Sequence, residues 1–166
     1  MKRIAVLCFV PLLLLFSACR GEKEMNPLFF REPPCAIEGT WRKGDGVRID
    51  FIAEADAAGA LTLTVLSEGT LQDAVFSVSG EEIVLTKEEI SLPVLRVCGI
   101  CRFFDLFSLP RETLRSSTEQ DGDVPLRVLA FDTATLTVRA DNGLPCRFES
   151  GGEEFLIHRV TTNRIG

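Results

Sequence analysis

From Ala36 onward, apolar and polar residues follow one another with a period of two. Val47, Ile49, Phe51 and Ala53 alternate with Arg48 and Asp50; Leu61, Leu63 and Val65 with Thr62 and Thr64; Ala134, Leu136, Val138 and Ala140 with Thr135, Thr137 and Arg139. Successive side chains of an extended chain face opposite sides, so each run predicts a half-buried strand. Shorter runs at 71–78, 82–86, 94–98, 126–131, 144–149 and 154–160 predict more strands, with turn formers between them: Gly44-Asp45-Gly46, Ala58-Gly59, Ser79-Gly80, Asp141-Asn142-Gly143 and Ser150-Gly151-Gly152. Asn142-Gly143 predicts a type I′ turn, and the last three strands a meander of tight hairpins. Helical signal is thin. Thr86-Lys87-Glu88-Glu89 matches a capping box cut short by Pro93, Leu109–Arg115 could make one short helix, and polar Ser116–Val124 predicts an exposed loop. The fold expected is all-β, a small antiparallel up-and-down barrel with one or two short helical turns; a β-sandwich is the alternative.

The first residues break this pattern. Met1-Lys2-Arg3 carries two positive charges, and Ile4–Phe16 follows without a polar side chain. Such a run, interrupted by Pro11, falls short of the ~20 residues needed to span a bilayer and predicts an export signal. It ends Leu15-Phe16-Ser17-Ala18-Cys19, which resembles the lipobox of bacterial lipoprotein precursors, with Phe16 where Leu, Val or Ile is usual. The resemblance implies cleavage before Cys19, a thioether from that cysteine to diacylglycerol, and acylation, palmitate included. An ordinary signal peptide with an Ala-x-Ala-like cut is the alternative. Arg20 follows the cysteine; in enterobacterial lipoproteins a residue other than Asp there permits transfer to the outer membrane, the location this resemblance implies. The domain reading is a signal peptide at 1–18, a lipidated tether at 19–34 rich in Pro and charge, with Gly21, and one β-domain at 35–166. Leu28-Phe29-Phe30 is the apolar exception in the tether, and docking onto the domain is the preferred role over contact with lipid.

Charge narrows the partners. Removing residues 1–18 takes Lys2 and Arg3 from 18 basic residues and nothing from 24 acidic ones, leaving 16 against 24, a net charge of −8. That balance argues against nucleic acid and against an anionic lipid surface as an electrostatic partner. The 148 residues from Cys19 suit one domain, with ten Phe, no Tyr and the single Trp41.

Gly39-Thr40-Trp41 resembles the Gly-x-Trp signature on the first strand of lipocalins and their avidin-like relatives, the calycins, in which the Trp plugs the closed end of the barrel. Gly39–Val65 is similar in layout to the opening of that group, and Phe155–Val160 to its final strand. The resemblance implies a barrel with a ligand or partner at its open end. Avidin-type biotin sites use several Trp and Tyr residues, which this chain lacks.

Four cysteines remain in the mature domain: Cys35, Cys98, Cys101 and Cys146. In an oxidising compartment they predict structural disulfides; Cys35 with Cys146 and Cys98 with Cys101 is the pairing chosen among three. Cys98-Gly99-Ile100-Cys101 has the spacing of a redox dithiol without the strand-to-helix setting that activates one, and a four-cysteine zinc site would need a second such pair. His158 is the only histidine, so no nucleophile–histidine triad or paired-histidine metal site is predicted; a partly buried strand position is. Asp121-Gly122-Asp123 lacks the bidentate acid of a calcium loop. No catalytic residue, metal or cofactor is expected. The expectation is a non-enzymatic, membrane-anchored module that binds a small apolar ligand or an envelope protein. The alternatives are a structural lipoprotein with a filled barrel and, behind it, an envelope dithiol protein.

Overall fold

In the computed structural model, which describes residues 26, 28–44, 46–97 and 99–162, period-two alternation becomes strands. The first six are β1 (Cys35–Lys43), β2 (Val47–Ala55), β3 (Leu61–Val65), β4 (Val75–Ser79), β5 (Glu82–Lys87) and β6 (Ile90–Val94). The rest are β7 (Arg115–Asp121), β8 (Val124–Ala130), β9 (Ala134–Arg139), β10 (Pro145–Ser150) and β11 (Glu153–Thr162). All belong to one antiparallel sheet in the order β6-β5-β4-β3-β2-β1-β11-β10-β9-β8-β7. The signal, Cys19 and residues up to 25 of the tether lie outside the described residues, as does Cys98.

The fold is thus all-β, antiparallel and up-and-down, but the sheet is open. Strands β6 and β7 end it without pairing to each other, which corrects the closed barrel, and a single sheet replaces the sandwich alternative. The reason lies in the connection between those edges. It contains a 3-10 segment (Gly99–Phe104) and a single turn of helix, α1 (Asp105–Ser108), whose Ile100, Cys101, Phe103, Phe104 and Leu106 are buried. The sheet curls around this plug instead of closing on itself. On β2, Phe51, Ala53 and Ala55 point inward, while Asp50 and Glu54 stay exposed. The same face continues through Leu63, Phe76 and Ile83 on one side and Phe155, Phe148, Leu136 and Leu129 on the other, all in one core with the plug.

Several local expectations change. The capping-box segment is the β5–β6 hairpin turn, with Lys87 opposite Ile90 and Glu88 at φ 53°. An L residue there carries backbone strain of about 1–2 kcal/mol that glycine avoids, less the entropy glycine loses on folding. Glu88→Gly is therefore expected to raise the unfolding free energy by about 0.5–1 kcal/mol in denaturant melts; a loss of stability would refute the strain. The expected loop at 116–124 is mostly strand β7, which pairs with β8 from Arg115↔Ala130 to Asp121↔Val124. The run at 94–98 gives way to β6, four residues earlier, and the helix at 109–115 gives way to the plug upstream. Asn142-Gly143 does not form a type I′ turn: Gly143 has φ 70° while Asn142 does not enter the positive region. Instead the Asn142 side chain accepts the Leu144 N–H at 2.9 Å in a longer loop closed by Arg139 N–H to Leu144 O. The last three strands do form a meander, β9-β10-β11.

Candidate functional site: the plugged concave face

Phe103 stands at the centre of the concave face. Its ring lies 4.6 Å from Phe51, 5.3 Å from Phe155, 6.1 Å from Phe148 and 6.3 Å from Phe107, all edge-on. Edge-to-face pairs at these separations add to simple burial, so the space a hollow barrel would offer a ligand is here filled by the chain itself. The signal for the plug was present in the sequence: Ile100, Phe103, Phe104 and Phe107 recur at i, i+3, i+4 and i+7, the helical period.

Polar contacts hold the plug from two sides. Asp105 pairs with Arg96 at 3.3 Å and Arg102 at 3.4 Å and accepts the Ser150 hydroxyl at 2.7 Å, joining the plug to β10. Arg102 lies on Gly151, where a Cβ would come within 2.7 Å of its Nε, and that Nε is buried without a hydrogen-bond partner among the described residues. From the other side, Arg31 donates to the carbonyls of Leu106 and Phe107 at 3.2 and 3.3 Å, satisfying acceptors at the end of α1. Burial beside the Arg111 charge lowers the Arg31 pKa, desolvation being the larger cause. Leu28 and Phe30 are buried in the same core, so the apolar part of the tether docks on the domain.

The Gly-x-Trp pair receives a physical reason from the same packing. A Cβ on Gly39 would lie 2.6 Å from the Leu156 carbonyl oxygen and 3.0 Å from the Phe51 ring, so only glycine admits the β1–β11 bulge beneath that ring. Trp41, 9% exposed, lies over Gly99, whose Cβ would come within 3.0 Å of the indole, and donates from Nε1 to Glu153 at 2.8 Å. The ring clamps the start of the plug.

The cysteines do not assemble. Cys35 and Cys146 are free thiols, so the pairing expected between them is not formed. Cys35 stands opposite Thr162 while Arg147, next to Cys146, stands opposite Leu156. About five residues of strand, ~17 Å, separate their levels, against the ~4.4–6.8 Å between Cα atoms that a disulfide tolerates. Burial pushes both thiols above the usual cysteine pKa, which keeps them protonated and poorly nucleophilic. Cys101 is buried in the plug; its partner in the expected pair, Cys98, is outside the described residues.

His158 is exposed, not partly buried. Its Nε2 lies 2.7 Å from the Thr40 hydroxyl, which donates to Asp50 at 2.6 Å. The hydroxyl stands between imidazole and carboxylate, whereas a triad needs the imidazole in the middle. Among the described residues no three His, Cys, Asp or Glu side chains are grouped to hold a metal. Grooves of about 520 Å³ and 600 Å³ lie at strand ends, one around Cys35, Ala55 and Thr162, the other around Phe131, Ser150 and Glu153, and both are open to solvent. The concave face itself stays uncovered at one rim. Leu92 pairs with Leu85 and Val94 with buried Ile83, which puts them on the core side, yet Ile90 and Leu92 are 62% and 52% exposed. Leu95 and Val97, just beyond, are 69% and 60% exposed.

No protein-family model and no curated protein matches the chain. Among solved structures it is similar to an uncharacterized conserved protein from Thermus thermophilus, with 8% identity over 82% of this chain and 83% of that one and a TM-score of 0.50. It is also similar to a LolA superfamily protein from Nitrosomonas europaea, with 10% identity over 85% of this chain and 92% of that one and a TM-score of 0.40. The first likeness shows the shared fold alone.

Proposed function

We propose that this chain is an exported lipoprotein, anchored through lipid on Cys19 at the outer membrane, whose half-barrel acts as a non-enzymatic module binding an apolar ligand of the acyl-chain class. The observation that carries the binding reading is the rim at β6. There the apolar concave face runs out from under the plug at Ile90 and Leu92, and Leu95 and Val97 follow just beyond the strand, so that exposed aliphatic residues recur along Ile90–Val97. Exposed large apolar residues grouped together, unlike scattered ones, mark a contact surface. Such a surface extracts a linear hydrocarbon from water without any charged recognition, in keeping with the acidic balance of the chain. The filled interior favours a second reading, an envelope protein acting through its surface alone, and one titration separates the two. A fluorescent fatty acid should bind saturably to the wild type, and Ile90→Asp with Leu92→Asp should weaken that binding at least tenfold. Absence of saturable binding by the wild type would leave the surface-only reading.

Anchoring is tested separately. Labelled palmitate should enter the wild-type chain and not Cys19→Ala, which should leave the membrane fraction; equal labelling of both would remove the lipoprotein claim.

A further inference from the structure

The two free edges of the sheet are built differently. In the β5–β6 hairpin, Lys87 and Ile90 flank a two-residue turn and Leu85 pairs with Leu92, so alternate residues of β6 turn their backbone groups to β5. Ser91 and Pro93 face the free edge, and Pro93 removes one of its N–H groups. A proline at an outward position is a device that blunts an edge against further strands. No proline guards the other side. In the β7–β8 hairpin, Asp121 and Val124 flank the turn, and the Ala140 N–H bonds to Pro125 O on the far side of β8. Alternation then directs Arg115, Ser117, Glu119 and Asp121 to β8, leaving the N–H and C=O groups of Ser116, Thr118 and Gln120 turned outward. All seven residues of β7 are exposed.

We infer that β7 is an interface for a second copy of this chain, pairing antiparallel with its own counterpart about a two-fold axis at Thr118. This register is the one that uses the whole strand. Ser116 meets Gln120 of the other copy and Thr118 meets Thr118, and these are the residues with outward backbone groups, so each pair can exchange both N–H···O=C bonds. The charges select the same register. Arg115 falls opposite Asp121 of the other copy at both ends, in non-hydrogen-bonded positions where side chains stand closest. Within one copy neither Arg115 nor Asp121 forms an ion pair among the described residues. Backbone bonds supply the attraction in strand addition and side chains fix register and partner. A single shared strand buries little area, so the dimer is a concentration-dependent one, and confinement to two dimensions by the proposed anchor favours it.

Sedimentation velocity of the full chain in detergent micelles tests this. The wild type should dimerise with rising concentration; Arg115→Glu and Asp121→Arg should each weaken association at least tenfold by placing like charges face to face; and the double variant should regain it. Thr118→Pro, which removes the N–H on the axis, should abolish dimers while its melting temperature stays at the wild-type value. If one charge variant fails to fold, the other still carries the comparison. A wild type that stays monomeric at every concentration, or association indifferent to these substitutions, overturns the proposal. Association that survives Thr118→Pro but is lost in Leu92→Asp overturns it as well, because it places the contact on the opposite edge.

Discussion

Replacing Phe103 by alanine should lower the stability by about 3–5 kcal/mol, the range for deleting a fully buried aromatic ring. The ring is wholly buried and meets Phe51, Phe107, Phe148 and Phe155, so few neighbours can collapse into the gap without losing contacts of their own. The void left is apolar on every side and should stay dry, and such voids take up benzene or xenon. Urea melts with and without benzene check both parts: the variant should regain some stability with the ligand, and the wild type should gain none. A loss below about 1 kcal/mol would show that the plug is a loose cover and not part of the core.

Trp41→Ala should cost a similar amount, about 3–5 kcal/mol, for a different reason. It uncovers Gly99, opens the edge of the core and leaves Glu153 without its indole donor. Trp41→Phe keeps the apolar contact and loses the hydrogen bond, so its cost should be nearer 1–2 kcal/mol. Circular dichroism in denaturant separates the variants, since the only tryptophan cannot report on its own removal. Equal costs for the two would place the stabilisation in the Glu153 bond and not in the clamp.

Which strands the sequence reveals depends on what each strand buries. β2, β3 and β9 set apolar residues against the core on one face and polar residues on the other, and alternation declares them directly. β7 buries none of its residues, so its hydrogen bonds to β8 leave no trace in hydrophobic pattern, and it passes for a loop. β6 carries Pro93, which argues against a strand everywhere except at an edge; whether a strand is an edge depends on the whole sheet. Openness is hidden for the same reason, because it follows from the helical connection taking the interior before β6 and β7 could meet. Cys35 and Cys146 illustrate the remaining gap. Their distance is set by the register of β1 on β11 and of β11 on β10, information that no local spacing contains. Gly39 and Trp41, by contrast, are visible as a motif, while the carbonyl of Leu156 and the backbone of Gly99 that explain them come from distant segments.

The central seam of the sheet orders events in time. There β1 pairs with β11 from Cys35↔Thr162 to Arg42↔Glu154, so the first strand waits on the last. The wings β1–β6 and β7–β11 are meanders whose neighbouring strands pair locally, but the seam between them closes a loop of more than a hundred residues. Contacts of such separation make folding slow. A chain threaded outward from its N-terminus therefore cannot complete this domain until β11 has emerged, which keeps it until then in the unfinished form that the proposed export requires.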